Sequence, residues 1–168
     1  MFYEDVLRAL QKHGVRYLIV GGAAVNLHGV PRMTGDLDLA IDMSESNIAA
    51  LVDALEESGL KSSIPVDPRG LADESVRRIW REERNLKALN FQRSVQGAPY
   101  REVDILLAIP RDFDEMYASR LELVAGDLTI SAISISDLIR IKEAIGRQQD
   151  LADIEALRKA EAEQEMET

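Results

Sequence analysis

The stretch "YLIVGGAAVNLHGVPRMTGDLDLAID", residues 17–42, decides how this chain is read. It opens with an apolar, β-branched and aromatic run, breaks at Gly21-Gly22, and passes through a Thr-Gly pair into a second apolar run. That second run carries Asp36 and Asp38. Side chains alternate across a strand, so the two carboxylates share one face while Leu37, Leu39 and Ile41 line the other. Asp is depleted in strands, and like charges at neighbouring positions on one face repel. A cation between them relieves the conflict, and Mg²⁺ suits it as a hard ion that takes one or two carboxylates together with substrate phosphates.

The same pattern recurs in "REVDILL", where Asp104 faces away from Val103, Ile105 and Leu107. If that strand lies beside the first, three carboxylates converge, and two metal ions about 3.5–4 Å apart could clamp an in-line phosphoryl displacement. Asp42 has the same parity but sits beside Ser44, a helix N-cap candidate, and reads as a strand-end residue. Gly21-Gly22 falls between a strand and a helix start, where a missing Cβ and free backbone N–H groups let a phosphate come close. Alone, that pattern is also what any tight turn requires.

Around this centre the sequence predicts a mixed α/β chain. An amphipathic helix is expected over Phe2–His13, a strand over "VRYLIV", a short helix over "AAVNLHG", and a helix from the Ser44 cap to about Ser58. "SSIPVDPRG" reads as a loop and "ADESVRRIWREE" as a helix. "NLKALNFQ" and "REVDILL" read as strands joined by a turn at Gly97-Ala98-Pro99. A short helix over "RDFDEMYAS", a hairpin turning near Gly126-Asp127, and helices over 136–146 and about 151–163 complete the chain. The expected domain is single, residues 1–168, with a core over about 15–131 and C-terminal helices over about 136–163.

Composition narrows the function. The 168 residues are 46% hydrophobic, enough for a proper core. Without Cys there are no disulfides, thiolate zinc sites or cysteine nucleophiles, and two His do not make a histidine-rich metal site. The net charge of -10 argues against broad non-specific binding to DNA, which needs phosphate neutralisation by Lys and Arg. No apolar stretch is long enough to span a bilayer and no signal peptide is evident, so a cytoplasmic location away from membranes is expected.

Val20-Gly21-Gly22 followed by Asp36-Leu37-Asp38-Leu39 resembles the signature of the DNA polymerase β-like nucleotidyltransferase superfamily. "RMTGDLDL" is similar to the Arg-x-Thr-x-Asp form of small bacterial members, and "LIRIKEAIGRQQDLADIEAL" resembles the C-terminal helices of AbiEii-like members, many of them toxins of toxin–antitoxin pairs. The resemblance implies the nucleotidyltransferase fold, a mixed β-sheet flanked by helices with C-terminal helices. It implies a metal-dependent enzyme using Mg²⁺, or Mn²⁺ in its place, and an NTP such as ATP. The acceptor would be a hydroxyl of a protein or RNA, and an antitoxin protein would be a partner. Position by position, Asp36, Asp38 and Asp104 would bind the metals and Asp104 would help activate the attacking hydroxyl. Gly21, Gly22, Arg32, Thr34 and Lys142 would contact the nucleotide, with Arg147 and Asp150 as weaker candidates.

Competing readings stay open at this stage. The same fold could be a non-catalytic module that binds a nucleotide or a partner. Asp150 suits the N-cap of the last helix, with Asp153 three residues on, and Glu143 with Arg147 suits an i,i+4 surface pair. Arg77, Arg81 and Arg84 read better as a solvated helix face neutralised by Glu82 and Glu83 than as an RNA-binding patch, with Trp80 in the core. His28 reads as a packing or hydrogen-bonding residue and His13 as a helix-end histidine.

Overall fold

A computed structural model describes residues 3–93, 96–97 and 100–168. Among the described residues seven strands form one sheet: β1 (Tyr17–Val20), β2 (Leu37–Ile41), β3 (Leu60–Ser62), β4 (Ala88–Arg93), β5 (Glu102–Leu106), β6 (Leu121–Ala125) and β7 (Leu128–Ala132). The helices are α1 (Glu4–Lys12), α2 (Gly21–Leu27), α3 (Glu45–Glu57), α4 (Glu74–Glu82), α5 (Phe113–Ala118), α6 (Ile135–Ile145) and α7 (Gln148–Met166). The sheet order is β3-β4-β5-β2-β1-β7-β6, so the mixed sheet flanked by helices is as the sequence predicts. β2 pairs in parallel with β5 and antiparallel with β1, while β4 and β5 are antiparallel.

The apolar face of β2 sets the core. Leu37, Leu39 and Ile41 are buried with Ile19, Leu89, Phe91, Val103 and Ile105 from neighbouring strands. Leu7 of α1 meets Ile19, Leu37 and Ile130 around an apolar cleft of about 360 Å³ on this face. Burying a Leu or Ile side chain stabilises by about 1.5–3 kcal/mol, so this face fixes the register of β2 and leaves its other face to polar groups. Among the described residues no helix is long and apolar enough to cross a membrane.

Several expectations need correction. β2 begins at Leu37, so Asp36 stands one residue before the strand rather than inside it. The helix after β1 starts at Gly21 and takes in both glycines. The "SSIPVDPRG" segment is not all loop: β3 ends at Ser62 and a 3₁₀ turn spans Pro68–Ala72, because Lys61 and Ser62 pair with β4. α7 starts at Gln148, which makes Asp150 the third residue of the helix and Arg147 its N-cap. Glu143 pairs with Arg158 and not with Arg147. Arg77 and Arg81 are neutralised by Glu74 instead of Glu82 and Glu83, although Trp80 is buried as expected. The expected turn at Gly97-Ala98-Pro99 and the start of the first helix at Phe2 lie partly outside the described residues.

Candidate functional site

The parallel β2–β5 pair sets Asp38 directly beside Asp104, and the antiparallel β4–β5 pair sets Asn90 on the far side of Asp104. Next to that rung, Asp36, one residue before β2, and Glu102, at the start of β5, interact as a second. Four carboxylates therefore form a two-by-two array on the polar face, and Glu102 is the member that the sequence reading missed. It has the parity of Asp104, two residues away, so "EVD" repeats the pattern of "DLD".

Burial and mutual repulsion together raise the carboxyls of the array. Burial pushes Asp38 up to about 6, with Asp104 and Asp36 adding to the shift and Arg32 and Lys142 opposing it. Asp36 is raised by burial and then by Glu102 and Asp104. Asp104 is raised by burial against the opposing hydrogen bond from Asn90. A buried hydroxyl ties the two halves together: Tyr3 Oη accepts from the Glu102 N–H and lies 2.8 Å from the carbonyl of Gly35, just before Asp36.

The glycine pair makes room for this stretch itself. Gly21 has φ +63°, and a Cβ there would lie 2.1 Å from Asp38 Oδ2. A Cβ on Gly22 would meet Thr34 Oγ1 at 3.0 Å and Arg32 Cζ at 3.4 Å. Both glycines therefore stand against the side chains expected to work with them, and any side chain at Gly21 would displace the Asp38 carboxylate. Thr34 Oγ1 also donates to the Asp36 carbonyl at 3.3 Å, which links the lead-in to the array.

Beside the array lies a second charged cluster. Arg32 donates to Asp153 Oδ2 at 2.6 Å, and Lys142 donates to the same oxygen at 2.8 Å and to Asp150 Oδ1 at 3.3 Å. Arg147 Nε donates to Asp150 Oδ2 at 2.8 Å. Lys142, Asp150 and Asp153 are buried. Burial alone would raise Asp150, but the hydrogen bonds from Arg147 and Lys142 hold it below its usual value. Asp153, which the sequence reading left as the companion of a helix cap, is the residue that joins Arg32 to Lys142. His28 lies apart from both clusters, buried with Nε2 2.8 Å from the Ile133 carbonyl, a hydrogen-bonding role as expected.

The donor set suits a hard cation. Carboxylates with raised pKa values, held side by side, lose their mutual repulsion when a divalent ion replaces a proton. Among the described residues no three acidic or His side chains already converge at ligating spacing, so the fit is to the Asp38–Asp104 pair, with Asp36 adjacent. The cations Arg32 and Lys142 stand close enough to act on Asp38.

The mixed sheet flanked by helices has the nucleotidyltransferase fold. The chain belongs to the family described as nucleotidyltransferase of unknown function (DUF6036), whose model matches residues 3–161. No curated protein matches the chain. Among solved structures, an antigenic nucleotidyltransferase-like protein from Paracoccidioides brasiliensis is 19% identical with a TM-score of 0.55, over 90% of this chain and 71% of that one. The lincosamide antibiotic adenylyltransferase LnuA, bound to lincomycin, is 15% identical with a TM-score of 0.56, over 92% and 93% of the two chains. ANT(2")-Ia, in complex with adenylyl-2"-tobramycin, is 14% identical with a TM-score of 0.56, over 94% and 90%. At these identities the likeness carries the fold.

Proposed function

We propose that this chain, as a single nucleotidyltransferase domain, moves an NMP from an NTP onto a hydroxyl of a protein or RNA acceptor. The observation that supports it most is the Asp38–Asp104 pair on adjacent parallel strands, with Arg32 and Lys142 close by. Mg²⁺, or Mn²⁺, when bound would neutralise charge on the phosphates and on the attacking oxygen. Asp36, Asp38 and Asp104 would hold it. The Asp104 carboxylate would accept the acceptor's proton. The acceptor oxygen then bonds to the α-phosphorus, and the bond to the β-phosphate oxygen breaks to release pyrophosphate. Arg32 and Lys142 would orient the phosphates, with Gly21, Gly22 and Thr34 beside them, so that positioning and charge supply most of the acceleration. Arg147, exposed at the mouth of the second cluster, would reach the same phosphates more weakly, and Asp150 would hold Arg147 and Lys142 in place.

In this reading the chain is an AbiEii-like toxin with an antitoxin partner, an assignment supported by the resemblance of residues 138–157. The test is Mg²⁺-dependent transfer of label from each α-³²P-labelled NTP in a lysate containing RNA and protein, with the Asp36→Ala/Asp38→Ala double variant beside it. Label in protein or RNA, lost in the variant, is the expected result. Label in the small-molecule fraction would move the acceptor to hydroxylated compounds like those in the neighbours' complexes. No label, with no NTP or Mg²⁺ binding by calorimetry, would sink the catalytic reading and leave a partner-binding module.

A further inference from the structure

Asn90 is half-buried in the middle of β4, opposite Asp104, and lies 14 residues from it in the chain. Its Nδ2 donates to Asp104 Oδ1 at 2.7 Å and to Glu102 Oε1 at 2.6 Å. An amide nitrogen has two hydrogens, and both go to carboxylates. The opposite flip would press the amide oxygen against the same two anions, so the chemistry of the neighbours fixes the orientation. In that orientation Oδ1 is buried without a partner. Buried polar atoms are nearly always paired, so one left unpaired calls for a reason at this position.

The reason lies in what the amide holds together. Glu102 and Asp104 stand two residues apart on one face of β5 and repel each other. A single donor group bridges them and draws both carboxylates toward β4. The other Glu102 oxygen accepts from Tyr100 Oη at 3.1 Å, so Glu102 is held from both sides. Each rung of the array then has a fixed member on β5, Asp104 beside Asp38 and Glu102 beside Asp36.

Resting on the nucleotidyl-transfer reading above, we infer that Asn90 is a positioning residue of the carboxylate site, an amide clamp that sets the Asp104 side chain for cation capture by way of its shared hydrogen bonds to Asp104 and Glu102. Residues that orient metal ligands typically change metal affinity 10–100-fold when removed.

Mn²⁺ alone is the probe, its binding to the full chain followed by electron paramagnetic resonance without nucleotide. Asn90→Ala is expected to weaken binding about 10–100-fold. In an Asp104→Asn background the same substitution should cost little more, because the residue it acts through is already altered. Unchanged Mn²⁺ affinity in Asn90→Ala, or an equal loss in both backgrounds, overturns the inference while leaving the proposed function standing. A wild type that binds no Mn²⁺ overturns the clamp, and the label-transfer assay then decides the proposed function separately. Should the alanine variant not fold, Asn90→Ser keeps one donor hydrogen and must show an intermediate loss; full affinity there overturns the clamp.

Discussion

Two groups of charge lie side by side in this molecule, one centred on the buried Lys142, Asp150 and Asp153 and the other half-buried, and they obey opposite rules. In the second cluster, Arg32, Lys142 and Arg147 meet Asp150 and Asp153, and every carboxylate has a cation within hydrogen-bond distance. In the array, Asp36, Asp38, Glu102 and Asp104 face one another, and among the described residues outside the array Asn90 and Tyr100 are the side chains that donate to them. The first arrangement serves the apo fold. The second is costly to the apo fold and makes sense once a cation or a nucleotide is counted as part of the site.

If that contrast is right, the largest effect on stability comes from the compensated cluster. Asp153→Ala removes the anion shared by Arg32 and Lys142 and leaves a buried ammonium short of partners. Breaking one side of a buried pair costs about 3–5 kcal/mol. Chemical denaturation should show that loss. Asp153→Asn keeps the shape and one acceptor oxygen and should lose less. A loss below about 1 kcal/mol for the alanine variant would mean that Lys142 is sustained by Asp150 alone, and that the two clusters are not as different as their geometry implies.

The array should respond to pH with the sign of a raised carboxyl. Unfolded, Asp38 ionises near its usual 3.8; folded, it holds its proton to about 6. Between those values folding takes up a proton, so this group's contribution is present below pH 4 and lost as pH rises through about 6. The shift corresponds to about 2–3 kcal/mol at most. Metal-free protein should therefore lose stability between pH 4.5 and 7 in urea titrations. Asp38→Asn should flatten that slope and be the more stable protein at pH 7, as expected where function and apo stability conflict. A wild-type slope unchanged by the substitution would place the cost elsewhere. Mg²⁺ at pH 7 should restore stability to the wild type only.

How far either cluster can be read from the sequence follows from the range of its contacts. Alternation alone put Asp36 and Asp38 on one face and Asp104 on its strand's polar face, because period-two patterning is local. That β2 and β5 are neighbours is a long-range parallel pairing, which the sequence poses only as a condition. Glu102 was legible by parity, but at the first residue of its strand a carboxylate is equally well explained as a solvated strand end. Asn90 was not legible, since its register against Asp104 depends on a turn whose geometry the residues do not specify. Asp150 and Asp153 fit a helix-cap pattern so well that local reasoning stops there; only the docking of α7 on α6 turns them toward Lys142 and Arg32. β3 escaped for the related reason that a three-residue strand between Gly and Pro carries almost no periodic signal.

The smallest expected effect separates the two ends of the compensated cluster. Arg147 bonds Asp150 through its guanidinium, yet two-thirds of its side chain is exposed, whereas Lys142 is almost wholly enclosed. A pair with one partner in water contributes about 0–1 kcal/mol, because solvent screens it and its side chain gives up rotamer freedom to form it. Arg147→Ala should therefore change the denaturation midpoint only slightly, and Asp150 should stay ionised through Lys142. The same substitution should weaken NTP binding if Arg147 reaches phosphate, since its exposed guanidinium can turn from Asp150 to a ligand. A stability loss of 3 kcal/mol or more with unchanged NTP affinity would make Arg147 part of the structural core and remove it from the nucleotide site.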